Sequence, residues 1–319
     1  MTTAENVALT FRQFGNPLDV LACENHPLAP PTASTLLRVQ MQFAPVNASD
    51  LIPITGAYRH RVTPPRVAGY EGVGTVIAAP AAWQHLLGKR VLPLRGPGTW
   101  QCYVDIDPTL AVPVPDDIDS PLAARAYINP LAALLMLQHW SPAGKNILLT
   151  AGGSTCAQLL AQWAHKRGAR RVTVIYRAPQ HAHTLQRLGI HAVQQDSQDE
   201  IRQLAAGTDL VFDAVGGTLG QLIWQTLPAE AHFIAYGVLT GQPVRVNTSL
   251  PALHWFHVRH YLDALSAQAW QQLFVEIWSL LRVSEYGEVT VFPLEQWQNA
   301  IAFYYQSGRE RKPLLQMQL

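Results

Sequence analysis

Asn146-Ile-Leu-Leu-Thr150, Ala151-Gly-Gly-Ser154, the run from Cys156 to Lys166 and Val172-Thr-Val-Ile-Tyr176 decide the fold of this chain. The first is a short apolar run and the second a turn of small residues. The third carries Cys156, Leu159, Leu160 and Trp163 at helical spacing, Gly168 stops it, and the fourth is β-branched. The pattern predicts a strand, a turn, a helix and a second strand. A turn this small lets backbone N–H groups approach a pyrophosphate at a helix N-terminus, where unpaired donors and the helix dipole favour an anion. A dinucleotide site is therefore expected. A glycine turn from another kind of α/β protein reads the same so far, because Gly152 and Gly153 are followed by Ser154, Thr155, Cys156 and Ala157 and not by glycines at the fingerprint positions.

The end of the second strand selects among dinucleotides. An acidic residue there binds the ribose 2′-hydroxyl of NAD, and an arginine accommodates the 2′-phosphate of NADP. This strand ends in Tyr176-Arg177, with no carboxylate before Asp196. NADPH is the expected cofactor, with Arg177 at its 2′-phosphate; the alternative is an ordinary solvated arginine.

Strand and helix patterns alternate outward from this unit through 178–188, 192–195, 198–206, 209–215 and 232–237, which predicts a doubly wound parallel sheet, a Rossmann domain. Before it, from Val7 to about Asp119, short runs such as 35–41, 72–78 and 89–94 are punctuated by Pro and Gly and read as a compact β-barrel. The boundary falls in the proline- and aspartate-rich 113–121, followed by one helical stretch over about 120–140. After Leu253 come a tryptophan-rich helix (267–282), a strand (288–293), a helix (294–306) and a closing strand (312–317). The expected class is α/β, with a barrel-type catalytic domain over 1–120 and 259–319 and an NADPH-binding domain over 121–258.

Composition narrows the partners. Of 319 residues, 48% are hydrophobic and 14% charged, with a formal net charge of +1, so nothing marks a nucleic-acid or anionic-membrane surface. A small, mostly apolar substrate is expected. Cys23, Cys102 and Cys156 are too few and too scattered for a disulfide framework, which points to the cytoplasm. The opening Met1-Thr-Thr-Ala-Glu-Asn has no charged region followed by an apolar core, and no apolar run is long enough to cross a bilayer, so an unprocessed protein is expected.

Three blocks taken together resemble the medium-chain dehydrogenase/reductase superfamily: Pro45-Val-Asn-Ala-Ser-Asp50, Pro65-Arg-Val-Ala-Gly-Tyr-Glu-Gly-Val-Gly74 and the Gly-Ser turn. Within it, Gly56-Ala-Tyr58, Gly98-Thr-Trp-Gln101, Ile128-Asn-Pro130, Tyr176-Arg177, Tyr236-Gly237 and Lys312 resemble the zinc-free 2-enoyl thioester reductases and their quinone oxidoreductase relatives. The resemblance implies a GroES-like catalytic domain beside the Rossmann domain, and a homodimer paired through the edge of the cofactor sheet, near 250–265. It also implies that no zinc is bound, since Asn47 and Tyr70 stand where zinc-dependent relatives have a cysteine and a histidine and a catalytic zinc needs about three protein ligands. His254, His257 and His260 would share a face on a helix, but they carry no metal-ligand spacing.

By the same resemblance Tyr58 is the proton donor, a role that suits a phenol able to hydrogen-bond and then protonate an enolate; the alternative is a loop tyrosine packing on the barrel. Asn47 and Trp100 lie on the substrate side, although packing preference alone puts Trp100 in a core with Trp83, Trp255, Trp270 and Trp278. Asn129 reaches the cofactor, Gly153, Ser154, Thr155 and Cys156 form the pyrophosphate turn, and Tyr236, Gly237, Val238 and Leu239 lie beside the nicotinamide. Tyr261, Leu262, Asp263 and Lys312 complete the implied cofactor set. Two departures stand out: the family's turn glycines are Thr155 and Ala157 here, and its arginine-acid-arginine run is Arg177-Ala-Pro.

The implied activity is NADPH-dependent reduction of a 2-enoyl thioester of coenzyme A or an acyl carrier. Quinone or enone reduction is the second reading, and cofactor binding with little catalysis the third.

Overall fold

The structure, a computed structural model, describes residues 5–28, 35–247 and 251–317. Residues 1–4 of the N-terminal reading, and Leu250 at the start of the expected edge, lie outside these. Six strands form one sheet: β1 (Asn146–Leu149), β2 (Arg171–Tyr176), β3 (His191–Gln194), β4 (Leu210–Asp213), β5 (His232–Ala235) and β6 (Ala252–Trp255). They lie in the order 3-2-1-4-5-6, with every pair parallel. This is the doubly wound dinucleotide arrangement, whose ligand crevice opens at the carboxyl ends of the strands where the order reverses, here between β1 and β4.

The strands are apolar on both faces because helices cover both. Ile147 and Leu149 pack toward α1 (Ile128–His139) and α2 (Thr155–Lys166), in a core that also takes in Trp270 and Phe274. Leu148 and Val211 face the other way, onto Ile201 of the helix Gln198–Ala205 and Ile223 of Gly217–Thr226.

The expected single helix over 120–140 is two, Ser120–Ala123 and α1. Asp119 caps the first by accepting the Leu122 N–H at 2.7 Å. The second gains its own N-terminus because the carboxylate of Glu71 accepts the N–H groups of Tyr127 (3.1 Å) and Ile128 (2.7 Å). Pro130 is tolerated in that first turn, where its missing N–H has no intrahelical partner to lose.

Beside a three-stranded sheet of Glu5–Phe11, Leu21–Pro27 and Arg66–Val67, a seven-stranded sheet is assembled from both ends of the chain. Strand Leu37–Pro45 pairs with Val73–Ala78, with Tyr103–Ile106 and with Lys312–Gln316, and the last also pairs with Val289–Pro293. Its core holds Leu37, Val39, Trp100, Ile301 and Leu315, all fully buried. Strands 37–45 and 73–78 pair antiparallel with a register shift between Met41 and Phe43, so closely that a Cβ on Gly74 would lie 2.3 Å from the Gln40 carbonyl oxygen. Gly74→Ala should therefore cost on the order of 3 kcal/mol of stability, at the upper end of overpacking effects. An unchanged denaturation midpoint would mean that the paired strands have room to part.

The tryptophans divide. Trp100, Trp270 and Trp278 fill cores, Trp83 is half-buried, and Trp255 is 54% exposed on β6. Core packing thus fails for Trp255, because β6 is the outer strand of its sheet.

Candidate active site

At the switch point the crevice floor is tied together by Thr150, immediately after β1. Its hydroxyl donates to Asp213 Oδ1 at 2.6 Å and accepts the Ala214 N–H at 3.0 Å. Asp213 Oδ2 accepts the Gly216 N–H at 2.8 Å, which fixes the loop after β4. Burial raises the pKa of this carboxyl, against the hydroxyl and amides that bond to it.

The turn between β1 and α2 leaves the crevice with donors. Ser154 caps α2 by accepting the Ala157 N–H at 3.2 Å. Among the described residues, the N–H groups of Thr155 and Cys156 have no protein acceptor, as expected of a first helical turn. The backbone here is tight: Ala151 has φ +57°, and a Cβ on Gly152 would lie 2.6 Å from Val174 Cγ1. The hydroxyl of Tyr236 is buried beside Ser154 and Cys156 without a hydrogen bond of ordinary geometry. Unpaired amides at a helix start, an unpartnered buried hydroxyl and a glycine cradle fit a dinucleotide diphosphate.

The wall opposite comes from the barrel. Asn47, buried, donates from Nδ2 to Glu71 Oε1 at 2.7 Å and accepts from Asn129 Nδ2 at 3.4 Å, so the two expected asparagines meet. Asp50 sits behind them, accepting the N–H groups of Asn47 (2.8 Å) and Tyr70 (2.9 Å). Burial and the charge of Glu71 push Asp50 up to about pH 7. Burial pushes the Lys312 ammonium down to about 8, against the pull of Glu71.

Tyr58 follows the left-handed Gly56 (φ +85°) and is half-buried. Its ring meets that of His257 edge-on, with centroids 6.2 Å apart. His257 lies two residues beyond β6, so Tyr58 faces the crevice at the carboxyl ends of the strands. Its hydroxyl has no hydrogen-bond partner among the described residues.

Gly153, Thr155 and Cys156 sit at the turn, with the Cys156 thiol buried against the Asn129 carbonyl at 4.0 Å. Gly237, Val238 and Leu239 follow Tyr236 past β5. Arg177, exposed at the end of β2, donates to Ser307 Oγ at 3.5 Å, so the barrel's C-terminal loop reaches this end of the crevice.

Trp100 is fully buried, and its indole N–H goes to the Pro45 carbonyl at 3.1 Å, so it props the segment leading to Asn47. Tyr261 lies on His139, with ring centroids 4.3 Å apart, and stacks on Phe256 at 5.2 Å; Leu262 is buried, and Asp263 is exposed, 3.6 Å from Arg95. The residues that leave β6 at the crevice are Phe256, His257 and Val258, a register the sequence pattern did not fix because it did not show where β6 ends.

The sequence reading also missed Glu71, His181 and Arg61. Glu71 lay within a quoted block, whereas His181 and Arg61 gave no local signal. A Cβ on Gly153 would come within 2.2 Å of His181 Nε2, so the imidazole covers one side of the turn. Burial lowers the pKa of His181, and Arg309 and Arg177 lower it further. His254, His257 and His260 are not on one helix: His254 is in β6, bonded to His232 at 2.9 Å, and His257 lies 3.2 Å from Arg61.

Residues 33–116 match the alcohol dehydrogenase GroES-like domain. The whole chain is 33% identical to a Bacillus thuringiensis protein of solved structure assigned as an NADPH:quinone reductase, covering 98% of this chain and 99% of that one with a TM-score of 0.90. It is 27% identical to the human mitochondrial enoyl-[acyl-carrier-protein] reductase over 92% of this chain and 84% of the relative. Etr1p of Candida tropicalis, solved with NADP and crotonyl-CoA, shares the fold at 20% identity and a TM-score of 0.83, covering 98% of this chain and all of that one.

Proposed function

The chain belongs to the zinc-free branch of the medium-chain dehydrogenase/reductase superfamily, and from that premise we propose that it is an NADPH-dependent reductase of the conjugated double bond of 2-enoyl thioesters. One observation carries the reading. A phenol with a partner-free hydroxyl, Tyr58, and an amide pair, Asn47 and Asn129, stand across one crevice from a helix start with unpaired amides.

In this reading Thr155, Cys156 and the Ser154 cap hold the diphosphate, and Arg177 takes the 2′-phosphate with one cation where relatives have two. The cofactor, when bound, supplies a hydride. Asn47 and Asn129 orient the carboxamide or the thioester carbonyl, since a side-chain amide both donates and accepts. Glu71 fixes which way the Asn47 amide faces, because a carboxylate only accepts and Asn47 must turn its Nδ2 toward it. Tyr58 then delivers its hydroxyl proton to the α-carbon of the enolate. The barrel side, 1–120 with 259–319, would carry the substrate and 121–258 the cofactor. The proposal includes a homodimer, supported by the exposed Trp255 on outer strand β6, and a cytoplasmic location. Among the described residues no helix is long and apolar enough to cross a membrane.

A quinone or enone acceptor is the second reading, favoured by the Bacillus relative. Turnover of a crotonyl thioester, a quinone and an enone, each with NADPH and NADH, separates the two. The expected result is fastest reduction of the thioester, with NADPH preferred. Faster quinone turnover would favour the second reading, and tight NADPH binding without turnover would leave a cofactor-binding protein.

A further inference from the structure

The surroundings of Tyr58 hold two side chains to which nothing so far gives a role. The chain after Gly56 makes a helical turn, in which the Tyr58 carbonyl accepts the N–H groups of Arg61 (3.0 Å) and Val62 (2.9 Å). Residues three apart in such a turn share a face, and the Arg61 guanidinium carbon lies 4.0 Å from the centroid of the Tyr58 ring. A guanidinium over the face of a ring is attracted by its negative quadrupole. The attraction grows when the ring carries the charge of a phenolate.

Arg61 is exposed and long, and one stacking contact would not hold it. The second contact comes from the other sheet: Arg61 Nη2 lies 3.2 Å from His257 Nε2. A guanidinium has no acceptor, so it is the donor here and Nε2 accepts in the tautomer that carries its proton on Nδ1, in competition with the Arg259 N–H that lies 3.3 Å from Nδ1. Burial and the neighbouring Arg61 favour that neutral form, holding His257 down to about pH 4. His257 also meets the Tyr58 ring edge-on, as does His60, with centroids 6.2 and 6.3 Å away. The ring is thus bounded on one face and two edges while its hydroxyl stays open to the crevice.

We propose that Arg61 is a positioning residue for Tyr58, held over the ring by neutral His257 across the crevice, and that its charge stabilises the phenolate left by proton transfer. This rests on Tyr58 being the donor. In the step concerned the Tyr58 O–H bond breaks and a C–H bond forms at the α-carbon. The electron pair stays on the phenolic oxygen, and water later returns a proton to it.

Arg61→Met keeps an apolar chain on the ring and removes the charge. It should lower kcat for a crotonyl thioester roughly 10- to 100-fold, within the range by which general-acid contributions are felt, while KM for the thioester stays within about twofold. The solvent isotope effect on kcat should rise as protonation becomes the slow step. Arg61→Lys should recover part of the rate, and His257→Phe, which removes the acceptor, should be slower than wild type. In a Tyr58→Phe background Arg61→Met should change nothing further. A raised KM at unchanged kcat would overturn the proposal and make Arg61 a substrate contact, and an unchanged isotope effect would overturn it equally. The two readings fail separately: full turnover by Tyr58→Phe sinks the donor and the arginine's role together, whereas a slow Tyr58→Phe beside a fast Arg61→Met sinks the arginine alone.

Discussion

Tyr58→Phe is expected to slow reduction of a crotonyl thioester by about 10²- to 10⁴-fold, the usual contribution of a general acid, while leaving quinone turnover and NADPH affinity as they were. The substitution is a clean one. Phenylalanine keeps the ring between Arg61, His60 and His257 and removes only a hydroxyl that has no protein partner among the described residues. Folding stability should therefore move by no more than about 0.5 kcal/mol, as for substitutions that break no packing or hydrogen bond. Quinones, which take up a hydride without needing a dedicated donor, serve as the internal control. Should the variant reduce the thioester at the wild-type rate, Tyr58 is a loop tyrosine and the proton comes from elsewhere.

Glu71→Ala is expected to cost about 3–5 kcal/mol of stability, the penalty for breaking a buried charge cluster by removing one partner. Glu71 is 1% exposed. Its two oxygens serve Asn47 Nδ2 and the amides of Tyr127 and Ile128, joining the barrel to the start of α1. Burial raises its pKa; the α1 amides, Asn47 and the Lys312 ammonium oppose that rise. Alanine would leave those amides unpaired and remove the larger of the two carboxyl charges that favour the Lys312 ammonium. Glu71→Gln should cost less, about 1–3 kcal/mol, because one acceptor oxygen remains and one donor group goes unsatisfied. Denaturant midpoints of the three proteins would check this order, and an alanine variant as stable as wild type would contradict it.

The same cluster sets a pH dependence. Asp50 has a folded pKa raised to about 7 from 3.8, so the folded chain holds its proton more tightly than the unfolded one. Its contribution to stability is full below about pH 4 and is lost as pH rises through about 7. Lys312, lowered to about 8 from 10.5, contributes fully above its unfolded value and loses that contribution as pH falls through about 8. The unfolding midpoint of wild type relative to Asp50→Asn should therefore decline between pH 5 and 7.5. A difference that stays flat across that window would mean that Asp50 ionises normally.

Much of the framework was legible in the residues. The alternation from 146 onward located every strand of the parallel sheet up to 237 to within a few residues, because the inner strands are apolar runs bounded by turn-forming residues. The return of 289–293 and 312–316 to the barrel sheet could be seen as a β/α cluster but not as a pairing, since nothing in Lys312–Gln316 names Leu37–Pro45 as its partner. The break in the helical stretch over 120–140 was invisible because its cause, Glu71, is 56 residues from Tyr127.

The same division runs through the candidate site. By itself the sequence determined the unit from Asn146 to Tyr176 and the helix start with unpaired amides, because period and turn chemistry act between residues a few positions apart. It also singled out Tyr58, Asn47 and Asn129, through resemblance. Only the tertiary structure decided where the Trp100 indole is anchored, that Tyr261 lies back on Phe256 and His139, and that Arg61 meets His257 across 196 positions of chain. Those outcomes depend on where strands end and which surfaces meet. Packing of the whole chain sets both, and no local pattern of residues encodes them.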